Sequence, residues 1–332
     1  MLKTAVIGVG AMGRNHARVY AEYDGVELVG VADSNESLAQ DVASKYQVKA
    51  YKNYQDLLEK ERPEAVSVAV PTAMHQEVGS AVLQAGAHVL IEKPIASTVE
   101  DGKRLMDLAD QVGRKLMVGH IVRFNPAIRA LREKMQAGEL GRIFQIVCRR
   151  VGPFPARIRD VGVVVDLAPH DIDVMRYLTG EEPQTVYAQI ARRVHTEHED
   201  LIFGLLQFSS GMIGALEINW LTPTKVRETL VLGERGMFRV DDLTQDLYFF
   251  ANADINGELW SALGTIKGVS EGEMIRYPLR RYEPLRAELE AFVEAILEDK
   301  PVPVSGKDGL EALRLAQALI QSGQSKQVVK VN

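Results

Sequence analysis

The cluster Glu92-Lys93-Pro94-Ile95 places a carboxylate and a lysine directly after a short apolar run, residues 87–91, that predicts a buried strand. Charged side chains at the end of a buried strand are costly to remove from water, so their presence there indicates a role in binding or catalysis. Pro94 stops the strand and holds the preceding backbone extended. Ligands of open α/β sheets bind at the carboxyl ends of the strands. We therefore expect Lys93 to act on a ligand and Glu92 to anchor that ligand or pair with the lysine; a surface lysine is the alternative.

A glycine-rich segment near the start of the chain indicates the kind of ligand. Gly8, Gly10 and Gly13 have the spacing GxGxxG, between a β-rich run and a helical pattern. The glycines allow a tight turn and close approach of the backbone to a pyrophosphate, which the helix N-terminus stabilises. Asp33 ends the next strand, 20 residues beyond Gly13, where a carboxylate accepts hydrogen bonds from an adenosine ribose. We expect a dinucleotide site; a structural turn without a ligand is the alternative.

The expected cofactor is NAD. The carboxylate of Asp33 repels the 2′-phosphate of NADP, and no arginine or lysine occupies the next two positions, which begin with Ser34. The loop after residues 65–70 is expected beside the nicotinamide half of the cofactor, and for His75 a place near the pyrophosphate and a structural role are equally open. The residues predicted to bind the cofactor are Gly8, Gly10, Ala11, Met12, Gly13, Asp33, Ser34, Pro71, Thr72, His75, Glu92 and Lys93.

A second candidate for chemistry is the pair Asp166 and His170, four residues apart. Pro169 is tolerated in the first turn of a helix, so we predict a helix that starts near Asp166. The two side chains then lie on one helix face, within reach of each other. A carboxylate beside an imidazole fixes its tautomer and raises its basicity, as a general base near neutral pH requires. The alternative makes Asp166 a helix cap and His170 an ordinary polar residue.

Four arginines precede that helix within eleven residues: Arg149, Arg150, Arg157 and Arg159. Guanidinium groups match phosphate oxygens, and Phe154 among them offers a cover for a sugar or base. We expect an anionic substrate bound by Arg157 and Arg159. A solvated loop with surface ion pairs is the alternative.

The elements that position these residues follow from the hydrophobic pattern. Up to about residue 120, β-rich runs alternate with amphipathic helical stretches, which predicts right-handed βαβ units and a parallel sheet covered on both faces. The predicted strands are 3–8, 26–32, 65–70, 87–91 and 115–118, and the predicted helices are 12–22, 35–46, 54–60, 75–85 and 98–112.

Beyond Pro126 the pattern changes. Consecutive strands with turn signals over 183–250 predict an antiparallel meander, and residues 251–273 receive no assignment. The other predicted elements are helices at 127–137, 166–178, 284–297 and 307–322 and a strand at 143–151. We expect a domain of residues 1–121 and a second of residues 122–332, with the C-terminal helix packing back on the first.

Composition limits the class of protein. A chain of 332 residues is long for one core, and its formal charge of −6 gives no basic excess for binding nucleic acid. The single cysteine, Cys148, excludes internal disulfides and a cysteine-rich metal site, and no metal is predicted. The apolar N-terminal stretch is too short for a signal peptide and no run of 18 apolar residues occurs, so we expect a cytoplasmic protein without a membrane partner.

These motifs together resemble the Gfo/Idh/MocA family of oxidoreductases over essentially the whole chain. The resemblance is carried by the GxGxxG segment, Glu-Lys-Pro at 92–94, Arg123-Phe124-Asn125-Pro126 and Asp-x-x-x-His at 166–170. It implies an N-terminal Rossmann domain with a doubly wound parallel sheet, then an α/β domain with an open, mostly antiparallel sheet through which dimers or tetramers form. It also implies that Lys93, Asp166 and His170 are catalytic, that Arg123 contacts cofactor and substrate, and that Asn125 contacts the substrate.

Within the family, the stretch from Arg150 to Asp166 resembles dehydrogenases that oxidise the 3-hydroxyl of UDP-N-acetylglucosamine to a ketone. The resemblance implies that His170, held by Asp166, takes the hydroxyl proton while Lys93 stabilises the developing oxyanion. Two alternatives remain: a cyclitol or free-sugar dehydrogenase, and a non-catalytic NAD-binding regulator, since one fold can host several functions.

Overall fold

The computed structural model describes residues 1–155, 161–195, 197–253 and 271–331. The chain forms two compact units: Met1–Phe124 with Glu283–Leu315, and Asn125–Tyr282 with the residues from Ala316 onward. The sequence analysis expected domains of residues 1–121 and 122–332 with the C-terminal helix packing back on the first, and in the structure Glu283–Leu315 belongs to the first unit. Among the described residues, no helix combines the length and apolarity needed to cross a membrane.

The first unit contains a parallel sheet of six strands. Their order across the sheet is β3-β2-β1-β4-β5-β6, which confirms the predicted doubly wound Rossmann sheet. The central strands are nearly continuous apolar runs because helices cover both faces of such a sheet. The third strand has only three residues and was not predicted. The strands are β1 (Leu2–Ile7), β2 (Val26–Ala32), β3 (Lys49–Tyr51), β4 (Ala65–Val68), β5 (His88–Glu92) and β6 (Leu116–Gly119).

The helices begin and end near their predicted bounds, with local signals at several ends. Asn35 and Thr98 accept hydrogen bonds from backbone amides of Leu38 and Asp101 and so cap two helices. Gly113, in the left-handed conformation, ends the same helix that Thr98 begins. The helices are α1 (Gly13–Glu22), α2 (Glu36–Tyr46), α3 (Tyr54–Glu61), α4 (His75–Gln84), α5 (Val99–Val112), α6 (Pro126–Gln136), α7 (Val163–Thr179), α8 (Pro284–Leu297) and α9 (Gly306–Ser325).

The second unit contains a mixed, mostly antiparallel sheet, as the family resemblance implied. Its strands are β7 (Ile143–Pro153), β8 (Pro183–Ala191), β9 (Leu201–Phe208), β10 (Ile213–Asn219), β11 (Leu221–Gly233), β12 (Gly236–Asp241), β13 (Asp246–Asn252), β14 (Glu271–Tyr277) and β15 (Val329–Lys330). Their order is β14-β13-β12-β11-β7-β10-β9-β8-β15. The predicted simple meander is wrong, because β7 lies between β10 and β11 and pairs in parallel with β10.

The helix that carries Asp166 and His170 begins three residues earlier than predicted. Its start at Val163 places Pro169 inside the helix and Asp166 within the first turn, with the Asp166 amide donating to Gly162. The cause is a partner distant in sequence: the Val163 amide donates to the backbone carbonyl of Glu199, and the Val164 amide donates to its carboxylate. These bonds satisfy helix amides that otherwise lack acceptors. Asp166 is therefore not the N-cap, which is Gly162.

Candidate active site

The three glycines of the N-terminal loop serve different purposes. A Cβ on Gly8 would lie 2.7 Å from the backbone of Ala69, and one on Gly13 would lie 1.7 Å from the Gly8 carbonyl oxygen, so packing within the unit excludes side chains at both positions. A Cβ on Gly10 would meet no described atom within 4 Å. The space over Gly10, at the N-terminus of α1, thus allows a pyrophosphate to approach the backbone, and this geometry fits the binding of a dinucleotide.

Asp33 lies at the end of β2 and holds the glycine loop. Its Oδ2 accepts a hydrogen bond from the Val9 amide at 2.8 Å, and its Oδ1 accepts one from the Asn35 amide at 2.8 Å. A carboxylate has about four acceptor positions, so both oxygens retain capacity for the hydroxyls of a ribose. The side chains of Ala11, Met12 and Ser34 are exposed around this loop.

His75 is buried at the start of α4 and joins two loops at the carboxyl edge of the sheet. Its Nδ1 lies 2.7 Å from the Pro94 carbonyl oxygen and its Nε2 lies 3.0 Å from that of Val70. Burial lowers the pKa of His75 more than these carbonyls raise it, and a neutral imidazole donates to only one of them at a time. His75 therefore positions the loop that continues through Pro71 and Thr72 against the loop that carries Lys93; its contact with the cofactor stays a prediction.

Glu92, at the end of β5, is paired with a histidine that the sequence analysis did not single out. The Nε2 of His16, a fully buried residue of α1, lies 3.0 Å from Glu92 Oε1, and the Lys93 amide donates to Oε2 at 3.3 Å. Burial alone raises the pKa of Glu92, but the hydrogen bond and charge of His16 and the charge of Lys93 outweigh it and lower that pKa. A Cβ on Gly119 would lie 3.2 Å from the Glu92 carboxylate, so Gly119 leaves room for this arrangement.

Arg123 is buried, and its guanidinium faces the start of α9. Its Nη2 lies 2.9 Å from Asp308 Oδ1, and Nη1 donates to the Pro303 carbonyl at 3.4 Å. Burial acts to raise the pKa of Asp308, but the Arg123 charge and the hydrogen bonds of Arg123 and Ser305 prevail and lower it to about 2. The ion pair gives Arg123 a structural role, and its contacts with cofactor and substrate stay predictions.

Asn125 opens the second unit and caps α6. Its Oδ1 accepts from the Ala127 amide at 2.9 Å, and its Nδ2 donates to the Asp242 backbone carbonyl at 2.9 Å. Both ends of the buried amide are thus engaged within the unit. Substrate binding by Asn125 stays a prediction.

Asp166 and His170 lie one turn apart on α7, and both side chains are half-buried. The helix is fixed by an ion pair beneath them. The guanidinium of Arg150, on β7, contacts both carboxylate oxygens of Asp171, with Nε donating at 2.8 and 2.9 Å and Nη2 lying 2.7 Å from Oδ1. Arg150 and Asp171 are buried, so breaking this pair is costly, and the pair holds the turn that carries His170 against the sheet.

The arginine cluster that the sequence placed before α7 divides into separate groups. Arg149 lies on the other face of the sheet and pairs with Glu217 at 3.0 Å, whereas Arg150 is the buried anchor of α7. Arg157 and Arg159 lie outside the described residues. Phe154 is partly exposed and packs edge-on against Trp220, with ring centroids 5.5 Å apart.

The structure thus brings the predicted cofactor residues together along one edge of the first sheet and the predicted Asp–His pair onto one helix of the second unit. Sequence reasoning missed His16 and the role of Arg150. The position of His16 three residues after Gly13 was a usable signal, because residues three apart lie on the same face of a helix and Gly13 must pack against the strands. No local signal reveals the Arg150–Asp171 pair.

Comparisons with known proteins identify the family. Residues 2–120 match the model of the oxidoreductase family with an NAD-binding Rossmann fold, GFO_IDH_MocA, and residues 128–239 match the C-terminal domain model of the same family. UDP-N-acetylglucosamine 3-dehydrogenase of Acidithiobacillus ferrooxidans is 32% identical over 315 residues, which cover 95% of each chain. Its solved structure superposes with a TM-score of 0.86 at 31% identity, over 98% of each chain. Myo-inositol 2-dehydrogenase of Thermotoga maritima is 27% identical over 99% of this chain and 98% of its own.

The chain belongs to the Gfo/Idh/MocA oxidoreductase family. It is accordingly an NAD-dependent oxidoreductase that acts on CH–OH groups.

Proposed function

We propose that the protein oxidises the 3-hydroxyl of UDP-N-acetylglucosamine to a ketone with NAD. The observation that carries this proposal is the similarity to a dehydrogenase of that substrate across nearly the full length of both chains, in sequence and in fold. Members of one fold act on many substrates, so the substrate is the part of the proposal that needs a direct test.

In the proposed reaction, His170 takes the proton of the substrate hydroxyl as general base. Asp166, one turn earlier on α7, raises the basicity of the imidazole and orients it. Lys93 stabilises the oxyanion that develops as the proton leaves. NAD, when bound, accepts the hydride from the same carbon.

The residues proposed to bind NAD are those of the glycine loop, the end of β2 and the loops after β4 and β5. The open space at Gly10 and the carboxylate of Asp33 support binding of the pyrophosphate and of the adenosine ribose. We further propose that Glu92 accepts a hydrogen bond from the nicotinamide ribose; its contacts with His16 and with the Lys93 amide support this role by holding the carboxylate in place. The carboxylate of Asp33 favours NAD over NADP by like-charge repulsion.

A cyclitol dehydrogenase is the second candidate, favoured by the full-length similarity to myo-inositol 2-dehydrogenase at lower identity. The two candidates differ in the charge of the substrate. A nucleotide sugar brings a negatively charged diphosphate, which cationic side chains or backbone amides bind, and a cyclitol brings no charge.

A panel of substrates tests the function. Purified enzyme with NAD is offered UDP-N-acetylglucosamine, UDP-glucose, free N-acetylglucosamine and myo-inositol, while NADH absorbance is followed and a carbonyl trap removes the product. We expect turnover of UDP-N-acetylglucosamine above all others, with NMR of the product showing the ketone at C3. The Lys93→Ala variant, prepared in parallel, measures any contaminating dehydrogenase. Turnover of myo-inositol without turnover of a nucleotide sugar contradicts the proposed substrate.

The second unit supports assembly into a homodimer or homotetramer through its sheet. Phe203 and Leu205 of β9 and Ile213 of β10 lie on one face of adjacent strands and are 53%, 50% and 45% exposed. An apolar patch of this kind is costly in water and is typical of an interface. Light scattering of the purified protein is expected to give the mass of a dimer or a tetramer, and a monomer at micromolar concentration contradicts the assembly.

A further inference from the structure

Two arginines oppose each other at the end of the β7–β11 pair. Arg150 and Arg227 are cross-strand neighbours in the antiparallel register, so their side chains project from the same face of the sheet. Arg150 contacts Asp171 of α7, which shows that this is the face that carries the helix of Asp166 and His170. Like charges directly opposite each other destabilise a strand pair, so the arrangement calls for a compensating group.

Carboxylates lie against the guanidinium of Arg150, whereas the guanidinium of Arg227 contacts backbone carbonyls. Arg150 contacts Asp171 and lies 3.4 Å from Asp242. The guanidinium of Arg227 is held by backbone, with Nη1 donating to the carbonyls of Val151 and Val226 at 2.7 Å each. Within the part of the chain that the structure describes, no carboxylate lies within ion-pair distance of Arg227. Its Nε and Nη2 have no acceptor there either.

Lys225 adds a second cation at the same place. The register shifts between Leu221 and Val226, so residues 222–225 bulge opposite Gly152. A Cβ on Gly152 would lie 3.7 Å from Lys225 Cγ and 3.9 Å from Arg227 Nη1. Gly152, Lys225 and Arg227 therefore form one small surface, and the missing side chain at Gly152 leaves it open.

The charges around this surface do not balance. Burial and then the charge of Arg150 lower the pKa of half-buried Arg227 to about 10, and partial burial followed by the charges of Arg227 and Arg150 lowers the pKa of Lys225. Burial raises the pKa of Asp242 to about 6, and the carboxylates of Asp242 and Asp171 lie against Arg150 and not against Arg227. The charge of Asp166 raises the pKa of Arg227, which places the cations near the candidate catalytic helix.

We propose that Arg227 and Lys225 form an anion-binding subsite that holds the diphosphate of the substrate beside the N-terminal end of α7. The backbone bonds of Arg227 pre-orient its guanidinium and leave the Nε and Nη2 edge for paired oxygens of a phosphate, and Lys225 supplies a point charge for the second phosphate. The identity of the substrate rests on the proposed function; the presence of an anion site does not.

Direct binding of inorganic diphosphate tests the subsite. The probe is titrated by calorimetry into enzyme saturated with NAD, because the cofactor then occupies the other pyrophosphate site. Arg227→Gln is expected to weaken binding roughly tenfold to a hundredfold and Lys225→Ala roughly tenfold, as the loss of charge-assisted hydrogen bonds predicts. Arg235→Gln removes an exposed cation from the turn at the opposite end of the same hairpin and is expected to leave binding unchanged.

These measurements test the anion-binding subsite and the proposed substrate independently. Diphosphate affinity that is unchanged in both variants overturns the subsite, as does an equal loss in Arg235→Gln. If Arg227→Gln alone fails to fold, Lys225→Ala still decides. A rise in KM for UDP-N-acetylglucosamine with kcat retained supports the subsite as a substrate contact, because binding remote from the reacting carbon is uniform. Loss of diphosphate binding in the variants of an enzyme that oxidises only uncharged polyols supports the subsite and contradicts the proposed substrate.

Discussion

The two units differ in how their buried charged groups are paired. In the first unit two buried ionisable groups near the sheet edge each have a titratable partner: Glu92 faces His16, and Arg123 faces Asp308. In the second unit Arg150 contacts Asp171 and Asp242, and Arg227 meets no carboxylate among the residues that the structure describes. Ionisable groups that are paired, as in the first unit, hold neighbouring groups in position and leave little net charge. Cations that exceed the carboxylates in contact with them, as Arg227 and Lys225 do in the second unit, attract an anionic ligand.

The largest expected effect comes from breaking the buried pair of the second unit. Arg150→Met leaves the Asp171 carboxylate buried without its partner, which is expected to lower the free energy of unfolding by about 3–5 kcal/mol. Chemical denaturation measures this loss. In the double variant Arg150→Met with Asp171→Leu, both charges of the pair are absent and part of the stability is expected to return, because only the contact of Arg150 with Asp242 remains lost. A loss below about 1 kcal/mol in the single variant would show that the pair is dispensable.

The next effect concerns catalysis in the first unit. Lys93→Ala is expected to lower kcat on the order of 10²-fold or more, because stabilisation of the oxyanion is lost, while NAD affinity stays within about twofold. Steady-state kinetics and calorimetric titration of NAD measure the two quantities. Lys103→Ala, on the exposed side of α5, is the matched control for loss of a lysine charge. Near wild-type turnover in Lys93→Ala would remove Lys93 from the catalytic group.

The Arg123–Asp308 pair predicts a pH dependence of stability. The pKa of Asp308 is lowered from 3.8 to about 2, so the folded state favours the carboxylate. Its contribution, about 2 kcal/mol, is fully present above about pH 5 and is lost as the pH falls through 3.8 towards 2. Asp308→Asn is expected to lower stability at pH 7 by about that amount and to flatten the acid limb. Urea denaturation at a series of pH values tests this, and an unchanged acid limb contradicts it.

The smallest expected effect is the difference in binding affinity between NAD and NADP. Wild-type enzyme is expected to bind NAD at least roughly tenfold more tightly than NADP, which needs only about 1.4 kcal/mol. Asp33→Asn removes the charge and keeps one oxygen that can accept from the Val9 amide, whereas its NH2 group cannot accept from the Asn35 amide. It is expected to narrow the difference in affinity between the two cofactors with a smaller loss of NAD affinity than a change that removes both acceptors. Asp33→Ser is expected to lower NAD affinity as well, because the loop loses that bond. Equal wild-type affinity for both cofactors, measured by calorimetry, places Asp33 away from the ribose.

The difference between the two units also explains which features of the fold and of the candidate site could be predicted from the sequence. In the first unit, each functional loop follows a parallel strand directly, so Gly8 to Gly13 and Glu92 to Pro94 are recognisable from a few neighbouring residues. In the second unit, the site depends on partners distant in the chain. The start of α7 is set by Glu199, and the surface of Gly152, Lys225 and Arg227 is formed by the pairing of β7 with β11. Neither partner leaves a local pattern, so the early start of α7 and the place of Arg227 were not predicted.

The division of the first unit between two segments of the chain affects its synthesis. About 160 residues of the second unit are made between Phe124 and Glu283, which at roughly 5–20 residues per second takes on the order of 10–30 s. Until α8 follows, the apolar surface that Leu285, Leu289 and Phe292 cover in the finished core has no cover from this helix. The nascent first unit therefore exposes this apolar surface during that interval, and the order in which the ribosome delivers the chain becomes part of how this enzyme reaches its fold.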